Sequence, residues 1–196
     1  MISCWLKALG VVKDEHYPLS LRFRECDMES EKTERRGLNR TSFQCMDAIE
    51  ISLFIEKEGL FFYESVGKKI QDPQIQQMFL RLAGEEREHI QTLQEKAQFL
   101  QPAITYRSKL KDNLRRFLDD ELKGKIFPLL KDFSEKKIQS DKQALELGIE
   151  SEKRSIDVLQ SLLEEEKKLD VKTIFSHLLA EEKRHLSLLS DLKKKF

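Results

Sequence analysis

The chain has 196 residues, with 35 Lys+Arg against 35 Asp+Glu and a formal net charge of zero. That length suits one domain, or one domain with a tail, and the balanced charge removes the usual electrostatic footprint of a nucleic-acid partner. Only 7 Gly and 4 Pro among 36% charged residues argue against a β-sandwich or barrel, and no apolar run reaches the roughly 20 residues that span a bilayer.

Residues 1–41 stand apart. They hold the single Trp, Pro18 and a mixed-charge stretch without sustained period, and read as a poorly ordered tail or as sequence upstream of the true start. Met28 and Met46 are alternative initiators. The cysteines at 4, 26 and 45 form no Cys-x-x-Cys pair, which argues against a zinc ribbon, a rubredoxin-type iron site or a disulfide framework. The short apolar stretch at 8–12 makes no convincing signal peptide, so a reducing, cytoplasmic compartment is expected.

Helical periodicity begins at about residue 41. Ile49, Leu53, Glu56, Leu60, Tyr63 and Gly67 share one face of a helix that ends near 70. Asp72-Pro73 then reads as an N-cap followed by proline at the first helical position. The second helix runs to about 100 with Phe79, Leu82, Glu86, His89 and Leu93 on its stripe. Residues 103–139, interrupted by Gly124 and Pro128, are long enough to cross from one end of a bundle to the other. A third helix at about 140–167 carries Leu145, Gly148, Glu152, Ile156, Leu159 and Leu163. A fourth at about 171–194, with Asp170 as its expected cap, carries Phe175, Leu178, Glu182, His185 and Leu189. Two helical hairpins joined by a long connection make an all-α, four-helix bundle over residues 42–196.

The hairpins repeat each other at an offset of 96: Glu56 aligns with Glu152, Glu86 with Glu182, and His89 with His185. Each half therefore reads Glu and, 30 residues on, Glu-x-x-His. Every one of these acids lies on an apolar stripe, with hydrophobic residues seven positions before and after it. An uncompensated buried carboxylate costs several kcal/mol, and no Lys or Arg shares the stripes near the acids. Two divalent cations would balance four carboxylates. Glu and His three apart lie on one helical face, so one can bridge two ions while the other ligates one, and an oxygen and imidazole donor set suits iron or manganese. A lone Glu-x-x-His is weak evidence; two on core stripes, at a shared offset with two further core-facing acids, are not.

Neighbouring residues fail that test. Glu85 and Glu181 sit about 100° from the stripe and are expected on a solvated face, as is His177, and the charged run 164–168 reads as a wet helix end. Tyr63 either hydrogen-bonds a ligand, serves in electron transfer, or only packs; its repeat counterpart is Leu159. Ser52 and Gly148, one turn before Glu56 and Glu152, are expected to leave room for an oxidant.

The segments 56–63, 78–89 and 175–185 resemble the metal-binding helices of the rubrerythrin group in the ferritin-like di-iron superfamily, over roughly residues 44–194. The resemblance implies two iron ions, with manganese or zinc as substitutes, held by Glu56, Glu86, His89, Glu152, Glu182 and His185, with Glu86 and Glu182 bridging. It implies an oxidoreductase that reacts with hydrogen peroxide or dioxygen in protection from oxidants, or alternatively a ferroxidase that handles iron. The four-cysteine rubredoxin domain is missing, so a separate electron donor such as a rubredoxin is required. The extra carboxylate expected one turn from the third-helix Glu is missing too: Ile149 and Ser155 occupy those positions, which makes the ligand set more symmetric. A homodimer is expected, and the long connection would permit exchange of hairpins between subunits.

Overall fold

A computed structural model describes residues 43–100, 109–128, 138 and 140–196. The expected tail at 1–41 lies outside the described residues, as do parts of the connection at 103–139. Among the described residues there are five α-helices and no strand: α1 (Cys45–Gly67), α2 (Pro73–Leu100), α3 (Lys109–Phe117), α4 (Asp141–Glu165) and α5 (Leu169–Lys193). No helix among them is long and apolar enough to cross a membrane.

The helix ends follow from local chemistry. Asp72 caps α2 by accepting the backbone N–H groups of Gln74 and Ile75 at 2.9 and 3.0 Å. Ser140 does the same for α4 through the N–H of Gln143, at 3.2 Å. The Asp141 carboxylate accepts the N–H of Asp72 at 2.6 Å and that of Gln71, tying the first hairpin's turn to the start of the second hairpin. At α5 the start differs from the expectation. The helix begins at Leu169, and Asp170 lies inside its first turn, where its carboxylate accepts from Cys45 at 2.7 Å. The tight turn before it is organised by Glu166, which is buried and accepts the N–H groups of Lys167 and Lys168 at 2.7 and 2.8 Å. The run at 164–168 is therefore only partly a wet helix end, because one of its acids turns inward to satisfy backbone donors.

Packing is most extensive between α1 and α2 and between α4 and α5, the two hairpins. These meet chiefly through α1 against α5, with lesser contacts of α1 on α4 and α2 on α5. Ile49, Ile55, Phe62, Phe79, Leu82, Leu145, Leu159, Phe175 and Leu189 fill the space between them and are almost wholly buried. Each such side chain contributes about 1.5–3 kcal/mol of transfer free energy. The connection adds more than length. After α3, a π-helical turn at Leu118–Leu122 leads to Gly124 with φ 70° and then to Ile126 and Phe127, both buried. Phe127 packs on Phe62 and Tyr63 with ring centroids 5.5 and 6.2 Å apart, closing one wall of the core. Both hairpins of one chain pack together, so hairpin exchange is not needed to bring their core stripes face to face.

Candidate metal centre

The six residues singled out by the repeat converge midway along the bundle. One oxygen or nitrogen from each of Glu86, Glu152, Glu182 and His185 lies within 4.8 Å of the others, and a second such group joins Glu56, Glu86 and His89. Glu86 belongs to both groups, whereas Glu182 belongs to one. All four acids are at most 2% exposed, as is His185, while His89 keeps 22% of its side chain accessible. His185 Nδ1 lies 3.3, 3.7 and 3.9 Å from oxygens of Glu86, Glu182 and Glu152. His89 Nδ1 lies 3.3 Å from Glu56. The two rings stack with centroids 5.9 Å apart.

Tyr63 is buried among the core aromatics and donates its hydroxyl to Glu152, so of its expected roles the structure supplies the hydrogen bond. Burial and the Glu152 carboxylate push its own pKa well up, keeping it a neutral donor. Ser155 donates to Glu182 Oε1 at 2.7 Å. At the repeat-related positions stand Leu159, which has no hydroxyl, and Gly59, where an added Cβ would lie 3.2 Å from Glu86 Oε1 and from the Phe127 ring. The symmetry expected from the missing carboxylate is thus broken by Ser155 itself. The room at Gly148 is that of a methyl group: a Cβ there would make ordinary contact with Leu189, Phe79 and Phe62 at 3.4–3.7 Å.

Two acids expected on a wet face are turned inward. Glu85 is 18% exposed and its Oε2 lies 3.2 Å from His185 Nε2; Glu181 is 26% exposed and lies 3.7 Å from His89 Nε2. Each acid serves the histidine of the opposite hairpin, and Arg184 joins them at 2.9 Å to each. Helical spacing alone hides this. The residue next to a ligand points away from its own stripe, yet across a hairpin interface it reaches the far nitrogen of the partner ring. The only sequence signal was that these two acids keep the same offset of 96. Both carboxylates thus stand beside the outer ring nitrogens, close to them but outside hydrogen-bonding geometry.

Electrostatics reveal a second way to neutralise the cluster. Burial pushes the Glu56 carboxyl up to about 8, and raises Glu86 and Glu152 well above the usual range, helped by the neighbouring acids. Burial acts on Glu182 too, but His185, Glu152 and Ser155 outweigh it and hold this carboxyl below its ordinary value. His185 loses by burial, yet the adjacent Glu182 and Glu86 outweigh that and raise it to about 9. Without metal, burial thus favours the neutral form of Glu56, Glu86 and Glu152, while Glu182 and His185 favour each other's charged forms. Cations are therefore not the only compensator: protons do the same work until a metal displaces them.

Whether these residues suit a metal is answered by their unused atoms. Glu56 Oε2, Glu152 Oε2, Glu182 Oε2, His89 Nδ1 and both ring nitrogens of His185 are buried with no hydrogen-bond partner. The His185 nitrogens have carboxylates nearby but none in hydrogen-bonding geometry. Orphaned buried polar atoms cost about 1–3 kcal/mol each, and natural cores hold few of them. Five of these, all but the outer Nε2 of His185, converge on two points, and their oxygen and imidazole chemistry fits a pair of first-row divalent ions.

Among known proteins, a family model described as Rubrerythrin matches residues 47–193. No curated protein and no solved structure matches the chain in the same comparisons. With that match running from the first turn of α1 to the end of α5, the chain belongs to the rubrerythrin family.

Proposed function

We propose that the protein is a di-iron oxidoreductase that reduces hydrogen peroxide, or dioxygen, with electrons from a separate donor such as a rubredoxin. The observation that carries this reading is the convergence of unpartnered carboxylate oxygens and imidazole nitrogens from both hairpins on two adjacent points. Glu56, Glu86 and His89 would hold one ion, and Glu86, Glu152, Glu182 and His185 the other. Two bound ferrous ions supply one electron each, together with Lewis acidity toward the oxidant.

The chain's own residues do the rest. Tyr63 and Ser155 hold Glu152 and Glu182 by their hydroxyls, so these carboxylates need little reorganisation when charge changes nearby. Glu85 and Glu181 stand beside the outer nitrogens of the two imidazoles. Phe62, Phe79 and Phe127 exclude water from the inner side. Reduction of one peroxide to two waters consumes two electrons and two protons. The protons enter on the side of His89, the one member of the set that water reaches. A reducing cytoplasmic setting suits the separate electron donor.

Anaerobic loading with two Fe(II) per chain, followed by rapid mixing with peroxide, tests this. One peroxide should be consumed per two Fe(II), and further turnover should require a reduced donor. Absence of oxidation rejects the proposal. Oxidation and retention of excess Fe(II), with no dependence on a donor, would establish the ferroxidase alternative instead.

A further inference from the structure

The repeat makes the two halves of the centre equal in ligand type, yet the structure makes them unequal in support. On one side, Glu86, Glu152, Glu182 and His185 contribute four donors, all buried. Two of those carboxylates are gripped by hydroxyls, Glu152 by Tyr63 and Glu182 by Ser155. On the other side, Glu56, Glu86 and His89 contribute three donors, and His89 is 22% exposed against 1% for His185. The repeat-related positions hold Leu159 and Gly59, so no hydroxyl stands where Tyr63 and Ser155 act. Perfect symmetry would put Glu182 in both donor groups, as Glu86 is. Instead its Oε1 takes the Ser155 hydroxyl, while Oε2 lies 3.7 Å from His185. Glu86 packs its Oε1 closely against Gly59, which has no hydroxyl to hold it, and serves both groups.

Resting on the di-metal reading above, we propose that the two positions are unequal by construction. The position at Glu152, Glu182 and His185 keeps its ion. The position at Glu56 and His89 is the one that exchanges its ion with solvent and takes an exogenous oxygen ligand, and Ser155 is the positioning residue that sets the difference. Three protein donors leave more of a divalent ion's coordination sphere to water or substrate than four do. A side chain open to water provides the route in and out. Ser155 acts through Glu182: with its hydroxyl in place, that carboxylate is committed to one ion and cannot share itself with the second.

Stepwise titration of the metal-free, full-length protein with Mn(II) tests the inequality by calorimetry, with chelator-driven release followed in parallel. The wild type should bind two ions in steps differing by about ten-fold or more, the range that outer contacts to ligands command. The weakly bound ion should leave first. His89→Gln should abolish the weaker step alone, and Glu152→Gln the tighter. Ser155→Ala should narrow the gap, while Ser155→Thr, which keeps the hydroxyl, should preserve it. Two ions of equal affinity and equal release rate overturn the inequality and leave the di-metal reading standing. Binding of fewer than two ions overturns both. A gap unchanged in Ser155→Ala, or loss of the tighter step in His89→Gln, refutes the assignment of Ser155 or of the exchangeable position.

Discussion

Glu86→Gln separates the two demands made on the buried acids. Glu86 is 1% exposed, and burial and Glu56 raise its pKa well above the usual range, which favours its neutral form in the metal-free chain. Glutamine is nearly the same size, neutral, and keeps the oxygen that faces His185. Stability of the metal-free protein should therefore change by no more than about 1 kcal/mol, or roughly 2–4 °C in Tm for a chain of this size. Metal binding should suffer badly, because this is the one residue shared by both donor groups. At a hundred-fold excess over Kd, one bound ion stabilises by about 2.7 kcal/mol, a rise of roughly 5–11 °C. Most of that rise should vanish in the variant. Differential scanning calorimetry with chelator and with Mn(II) provides both numbers. A metal-free Tm lowered by more than about 10 °C would mean that Glu86 is a charged structural partner. An undiminished rise with Mn(II) would remove it from the metal site.

Tyr63→Phe leaves a buried Glu152 oxygen without its donor, which costs about 1–3 kcal/mol in the metal-free protein. It should also weaken binding of the more tightly held ion by about ten- to a hundred-fold; calorimetry that finds neither effect would reduce Tyr63 to core packing. The pH dependence follows from carboxyls whose folded pKa lies above the unfolded one. Glu56 favours the folded state fully below its ordinary 4.5, and that contribution is lost as pH rises through about 8. Glu86 and Glu152 act in the same direction, and His185, raised from 6.5 to about 9, extends the loss to higher pH. The Tm of the metal-free protein should fall between pH 5.5 and 8.5 while the added stability from Mn(II) grows; a metal-free Tm that rises over this range would contradict the protonation pattern.

The four long helices and the convergence of the six side chains were legible because both depend on short-range periodicity. Acids at seven-residue spacing from Ile49, Phe79, Leu145 and Phe175 had to face the core wherever those residues did. What sequence did not disclose depends on which atoms meet across the interface. Glu85 and Glu181 reach the opposite hairpin's histidines, a relation set by the packing of α2 against α5 and not by either helix alone. The space at Gly148 is bounded by the apolar Leu189, Phe79 and Phe62, while the glycine that borders a ligand carboxylate is Gly59, packed against Glu86. Phe127 belongs to a connection with no helical period to announce that it would seal the core. The helix α5 starts two residues earlier than expected, at Leu169, after a bend whose backbone N–H groups the buried Glu166 carboxylate accepts.

The most direct measurement is a crystal structure of the protein grown with Mn(II) or Fe(II), with anomalous scattering recorded at the metal edge. The account predicts two peaks inside the bundle, one contacted by Glu86, Glu152, Glu182 and His185 and the other by Glu56, Glu86 and His89. Metal found only on the surface, or an interior without an anomalous peak, would contradict it.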